Sequence, residues 1–295
     1  MAIIGAMPML RRRSLLPALL LACGLASAAP RAPLVTILEG DATLLRDGTR
    51  FALAEGVRLQ AGDLLATGPQ TRLLRVEFAG DLSVALGPDS RAMLTPNLGD
   101  DMHSGVYLLN GWVKLAAPSG TTGELRSPAA DTDTTAGTLI FSLQPDGAQA
   151  FAETGPSQVR PRAAGAGVQS LKSGEMLALG PKGVRPVLSK GAAPAFVGAM
   201  PRMFMDSLPL RAAAFQTREV APRRLGAMSY EDAQPWIDAE PTLRTVFAKR
   251  WRGLAADAEF RRGLVAGLKS HPEWRPILYP PEHVPRTAPV GAVTH

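Results

Sequence analysis

The sequence predicts a mainly β protein: a hairpin-built β domain, stacked, roll-like or sandwich, followed by a small C-terminal helical domain. Three observations carry this. Over residues 34–188 short apolar runs are broken about every eight to twelve residues by Gly, Asp and Pro, the rhythm of hairpins. From Ser229 onward apolar residues recur at three- and four-residue spacing, the helical period. Hydrophobic residues make up 46% and charged residues 20% of the 295, a globular composition that excludes general disorder.

The chain opens with Arg11-Arg12-Arg13, a short apolar run over residues 14–22 and the small-residue site Ala26-Ser27-Ala28. That order reads as a secretory signal peptide over residues 1–28, with the cut after Ala28, and the run is too short to span a bilayer. Two alternatives stay open. Leu20-Leu21-Ala22-Cys23 before Gly24 resembles a lipoprotein box with Cys23 as the lipidated residue, and Arg12-Arg13-Ser14-Leu15-Leu16 resembles a twin-arginine export signal. Either cut leaves no structural disulfide, because Cys23 is the single cysteine. Removing residues 1–28 takes away three arginines and no acids, so the net charge falls from +6 to +3. The basic balance is thus largely leader, and a nucleic-acid partner is not expected. No second stretch is long and apolar enough to span a membrane, so membrane contact is expected only through a lipid on Cys23.

In the β region, residues 35–38 form a first strand and Glu39-Gly40-Asp41 a turn. Residues 42–46 and 49–53 flank Asp47-Gly48, a pair suited to a tight hairpin. Leu73 to Phe78 alternates over its second half like a half-buried strand. Ala79-Gly80-Asp81 turns it into residues 82–86, and Gly87-Pro88-Asp89-Ser90 leads to a strand over 91–94. Residues 55–68, with Gly62-Asp63 before an apolar run, are echoed at 166–180, with Gly174-Glu175 before another. One echo does not establish a solenoid.

Residues 189–228 turn to Pro, Ala, Met and Arg, and Phe196, Met203, Phe204, Met205, Leu208 and Leu210 make them a packed connector rather than a free linker. The helical domain is expected over 229–282. Ser229 with Asp232 looks like a capping arrangement for a helix through Ala239. Pro241 suits the first turn of a second, with Leu243, Val246, Phe247, Arg250, Trp251 and Leu254 at helical spacing, and Asp257 caps a third that Pro272 closes. Gly263 and Gly267 offer a smooth face for close packing, and Trp236, Trp251 and Trp274 suggest an aromatic core for a three-helix unit. Residues 283–295 read as a flexible tail.

Four stretches of the β region resemble the FecR domain family. They are Gly62-Asp63-Leu64-Leu65-Ala66-Thr67-Gly68; the strand, Gly80-Asp81, strand, Pro88-x-Ser90, strand pattern to Leu94; Gly111-Trp112-Val113-Lys114-Leu115; and Ser127-Pro128 followed by residues 135–143. The resemblance covers about residues 34–180 and is strongest over 56–155, within a β domain read as 29–188. It departs at Gly80-Asp81-Leu82, where the family commonly has Asp-Gly-Ser, and at Glu153-Thr154-Gly155. It implies a β fold outside the cytoplasmic membrane. Its best-known members join that domain to a cytoplasmic anti-sigma segment and receive a signal from an outer-membrane transporter. This sequence has a leader where that segment would be, so the resemblance implies a stand-alone periplasmic module.

Catalytic equipment is thin, and no enzyme, cofactor or metal site is expected. His103, His271, His283 and His295 have no metal-ligand spacing. His271 before Pro272 reads as a cap at a helix's negative end. Asp131-Thr132-Asp133-Thr134-Thr135 and Asp100-Asp101 read as solvated turns, since the first lacks the Gly and distal Glu of a calcium loop. Ser170-x-Lys172 lies in a turn-rich segment. Lys249-Arg250-Trp251-Arg252 and Arg261-Arg262 read as a solvated helix surface, interleaved with Glu240, Asp257 and Glu259. The expectation is an exported, non-enzymatic envelope protein that binds a protein or surface glycan. The alternative is a periplasmic sensor that signals to a separate membrane or anti-sigma protein.

Overall fold

The computed structural model describes residues 32–95, 103–163, 165–181 and 184–280, which fall within one compact unit. Ala28, Cys23, Asp100-Asp101, His283 and His295 lie outside the described residues. The fold is mainly β with C-terminal helices. Its strands are β1 (Leu34–Glu39), β2 (Ala42–Arg46), β3 (Thr49–Ala52), β4 (Leu64–Thr67), β5 (Leu73–Glu77), β6 (Ser83–Leu86), β7 (Arg91–Thr95), β8 (His103–Arg126), β9 (Ala130–Gln144), β10 (Gly147–Thr154), β11 (Ser157–Pro161), β12 (Gln169–Leu171), β13 (Met176–Leu179), β14 (Val187–Ser189) and β15 (Arg223–Ala227). The described strands form one antiparallel sheet, whose main path runs β14-β13-β10-β9-β8-β7-β4-β2-β3-β15. Off that path, β1 pairs β5, β5 pairs β6, β6 pairs β8, and β11 pairs β9 and β12.

Asp47 and Gly48 adopt φ of 49° and 70°, so the turn read from their sequence closes the β2–β3 hairpin. The long β8 and β9 form the spine. Their reversal is tied by the Ser127 hydroxyl, which donates to the Ala130 carbonyl at 2.8 Å and accepts from the Ala130 amide at 3.0 Å. Asp131 to Thr135 therefore belong to a strand, not to the solvated turn expected of them: Thr132 and Thr134 are buried, while Asp131 and Asp133 point the other way.

The sheet's inner face carries Val35, Leu44, Leu65, Leu74, Val84, Leu94, Leu108, Val113, Leu139, Phe141, Ala150 and Leu177, all in one core. Among the described residues no helix packs on this face, so the sheet buries it by curling over its own side chains, the roll or sandwich solution. The outer face is covered in two places. Over β2, β4 and β8, the side chains of Leu45, Leu64 and Tyr107 pack with the helical segment. Over β1, β5, β6, β8, β9 and β13, Ile37, Leu73, Ala85, Trp112, Ile140 and Met176 pack under the connector with Phe196 and Phe204. Strand β5, expected to be half-buried, is consequently buried along its whole length.

The connector holds α1 (Pro194–Ala199), two further short turns of 3₁₀ helix and β15, which forms one end of the sheet by pairing with β3. Phe196 and Phe204 are buried as expected of a packed segment, whereas Met205 and Leu210 turn outward. The helical segment comprises α2 (Tyr230–Ile237), α3 (Pro241–Arg250), α4 (Ala258–Ala266) and α5 (Arg275–Leu278), one helix more than the sequence suggested. Ser229 and Asp232 form a reciprocal capping box, and the Asp257 carboxylate accepts from the Glu259 and Phe260 amides. Gly263 lies against the Tyr230 ring and Gly267 against Tyr230 and His271, so side chains there would collide. Trp236, Trp251 and Trp274 are buried with Phe247 and Phe260. This aromatic core is not self-contained, since the sheet's Leu45, Leu64 and Tyr107 complete it, and Val246 faces solvent.

The echo between residues 55–68 and 166–180 is a repeated turn. Asp63 accepts from the Gln60 amide at 2.7 Å, and Glu175 from the Lys172 amide at 2.8 Å. Gly62 donates to the Leu94 carbonyl and Gly174 to that of Ala152; in return the Leu94 and Ala152 amides donate to the Asp63 and Glu175 carbonyls. Gly62 and Gly174 adopt φ of 81° and 80°, a conformation that favours glycine. The two copies lead into β4 and β13.

Candidate functional site

Three of the family-like stretches meet at one buried point. Thr67, at the end of β4, donates its hydroxyl to the Gly87 carbonyl at 2.6 Å and accepts from the Ser90 amide at 2.9 Å. The Ser90 hydroxyl accepts from the Trp112 amide at 2.8 Å and lies 3.2 Å from the Trp112 carbonyl. Gly111 adopts φ of 98°, and a Cβ there would collide with Ser90. Thr67 and Ser90 thus satisfy buried backbone groups where β4, β7 and β8 converge, and Gly111 leaves the room that Ser90 needs. Gly137, in the fourth stretch, lies against Thr154 and Gly155, where the antiparallel ladder of β9 and β10 ends. These residues fix strand geometry; none presents a nucleophile.

Beneath the connector lies a buried ionic latch. Arg75 is 4% and Glu77 3% exposed, and their side chains pair at 2.7 Å. Glu77 also accepts from Thr36 at 2.8 Å and from the amides of Arg211 and Ala212 at 3.0 and 2.8 Å. Arg75 donates to the carbonyls of Leu208 and Pro209 at 3.1 and 2.7 Å. Burial lowers the pKa of Arg75 against the opposing charge and hydrogen bond of Glu77. Nearby, Lys114 bridges the Phe204 carbonyl and the Glu153 carboxylate.

A groove of about 1080 Å³ opens beside β13, lined by Pro128, Ala129, Leu143, Leu179, Val184 and Arg185 among others. Arg162 stands on its rim, paired with Asp131 at 2.8 Å and with Glu240, the residue before α3, at 2.9 Å. Burial pulls the Arg162 pKa down, but the bond and charge of Asp131, then Glu240, outweigh it and raise it. The buried Tyr107 phenol lies close by; burial first, then the Glu240 charge, pushes its pKa up. A smaller polar hollow of about 320 Å³ lies over Thr122, Glu124, Asp133 and Gln158.

The remaining candidates fall apart from one another. Asp131 is held by Arg162 and Glu153 by Lys114, so these carboxylates bind different cations. Asp133 is held by Arg126 at 2.9 Å. Among the described residues no cluster of His, Cys, Asp and Glu is arranged to hold a metal. Ser170 lies on β12 and Lys172 is exposed in the turn beyond it. His271 is fully buried, its Nδ1 2.8 Å from Asp238 and its Nε2 3.1 Å from the Leu264 carbonyl at the end of α4. It is a buried cap of that helix. Arg250 and Arg261 donate to the carbonyls of Gly62 and Leu278, each at 2.7 Å, so part of the basic helix surface is structural. Lys249 and Arg252 are exposed.

The sequence did not point to the latch or the groove, because both depend on which strands become neighbours. Among the described residues no helix is long and apolar enough to cross a membrane. No protein-family model and no curated protein matches the chain. Two crystal structures of a protein from Parabacteroides distasonis ATCC 8503, assigned as an anti-sigma factor, are similar to it. Their TM-scores are 0.38 and 0.37, with 14% and 13% identity over 43% of this chain. The similarity spans 59% and 58% of those chains, less than two thirds of their length.

Proposed function

We propose that this chain is an exported, non-enzymatic protein of the bacterial cell envelope whose FecR-like β region binds a protein or glycan partner. The observation that carries the reading is the convergence of Thr67, Ser90 and Gly111 at one buried node. Residues that looked like a family signature in sequence hold one another in space, as a fold signature requires. The resemblance supports the envelope compartment, and the arrangement of charge, short apolar run and small residues over 1–28 supports export. The pairing of Asp131, Asp133 and Glu153 to separate cations supports binding over catalysis.

Export is tested by fusing alkaline phosphatase after residue 35. An active fusion is expected, and an expressed but inactive one overturns the proposal. The mass of the mature N-terminus then decides between a start at Ala29 and a lipidated start at Cys23. Pull-down from envelope fractions is expected to recover an outer-membrane or wall component. Recovery of an inner-membrane signalling protein instead would favour the sensor role.

A further inference from the structure

The two ends of the sheet's main path are β15 and β14, and they are finished differently. Strand β15 carries Arg223 and Arg224 and a register shift between Arg224 and Gly226. Charge and a bulge are the usual means of keeping an exposed edge from pairing with another chain. Strand β14 pairs in regular register with β13, Ala178 opposite Val187 and Leu177 opposite Leu188. No described strand pairs its other edge. Val187 is 62% and Leu188 49% exposed, although successive side chains of a strand point to opposite faces. Val184, at 53%, extends the apolar surface toward the groove, which Arg185 and Pro186 also line.

We infer that the free edge of β14 is a docking site for an extended segment of a partner protein, apolar at its centre and acidic at both ends. The inference rests on the binding role proposed above and names the kind of partner. A strand added here completes backbone hydrogen bonds along β14, and its side chains cover Val187 and Leu188 on either face. The flanking charges select the occupant. Arg185 and Lys190 are exposed at the two ends of β14, and neither is ion-paired to another described residue. A second copy pairing antiparallel about Val187 and Leu188 would set Arg185 against the Lys190 of its neighbour. Like charges directly opposite destabilise a strand pair, so the edge disfavours itself and favours carboxylates at both ends.

The test uses the full mature chain and a fluorescent peptide of alternating valine and threonine with glutamates at both ends; the control peptide ends in lysines. Anisotropy is expected to show binding of the glutamate-ended peptide about tenfold tighter than of the control. Amide exchange is expected to slow at residues 187–189 when it binds. Arg185→Glu with Lys190→Glu, both at exposed positions, is expected to reverse the preference between the peptides. Equal binding of both peptides, an unchanged preference in the variant, or protection on β15 instead of β14 would overturn the inference. So would protection of residues 187–189 that grows with protein concentration alone, which would assign the edge to a second copy. Because the peptide assay needs no export, its failure is separable from that of the alkaline phosphatase fusion.

Discussion

The two coverings of the sheet's outer face solve the same problem with different chemistry. The helical segment lays an aromatic core on Leu45, Leu64 and Tyr107, with Phe247 stacked on Trp251 at 4.4 Å between ring centroids. The connector has little secondary structure and lays Phe196 and Phe204 on Trp112 and Ile140, then fastens itself through Arg75 and Glu77. Helices pair most of their own backbone groups and close their ends with local caps such as Ser229, Asp257 and His271, so their cover is mainly apolar. An irregular strand of chain arrives with unpaired carbonyls and amides, and a buried ion pair on the sheet supplies partners for Leu208, Pro209, Arg211 and Ala212. The latch is thus a way of burying a segment that has no ladder of its own.

The comparison is broken most severely at the aromatic core. Trp274 is fully buried, and Trp274→Ala is expected to cost about 4 kcal/mol in urea unfolding, through lost burial and the cavity left behind. Under the connector, Glu77→Gln is expected to cost about 3 kcal/mol, because Arg75 stays buried without its counter-charge. Replacing both, Arg75→Met with Glu77→Leu, should leave the protein at least as unstable as the single variant, because the carbonyls of Leu208 and Pro209 and the amides of Arg211 and Ala212 lose their partners. A double variant within about 1 kcal/mol of the parent would mean that the charge, not the backbone partners, dominates. The repeated turn gives a milder contrast. Asp63 is 1% exposed and bound to Arg46 at 2.8 Å, so Asp63→Asn should cost about 2 kcal/mol. Glu175, in the more exposed copy, is expected to lose less than about 0.5 kcal/mol as Glu175→Gln. The smallest effect belongs to Arg162 and Glu240, whose coupling in a double-mutant cycle should be about 0.5 kcal/mol, reduced by salt.

The helical segment was the more legible of the two. Its period, the Ser229 capping box, the Asp257 cap and the small faces of Gly263 and Gly267 are local, and the chain folds as they indicate. The β2–β3 hairpin and the strands flanking Gly80 were legible for the same reason. What local pattern could not give was the identity of the cover. Arg75 and Glu77 alternate with apolar residues, as the solvent side of a strand does, and only the arrival of residues 208–212 makes that side an interior. The strand at Asp131 to Thr135 was obscured by Asp131 and Asp133, a residue type depleted in strands, whose preference the pairing with β8 and β11 overrides. The motif stretches carried more than their separate glycines implied, since Thr67, Ser90 and Gly111 meet. Of the groove, single residues were visible, but not their assembly.

The pairing of β15 with β3 sets an order on events as the chain folds. Thr49 meets Ala227, and Arg75 meets Pro209, across most of the described length. Contacts between such distant residues close late, because the intervening chain must be gathered first. Until residues 200–227 arrive, the β2–β3 hairpin has an unpaired side and Arg75 and Glu77 face water. A chain cut near residue 190 would therefore retain fourteen of the fifteen described strands yet expose both covered parts of the outer face at once. Its failure would show as aggregation during refolding rather than as a smaller stable domain.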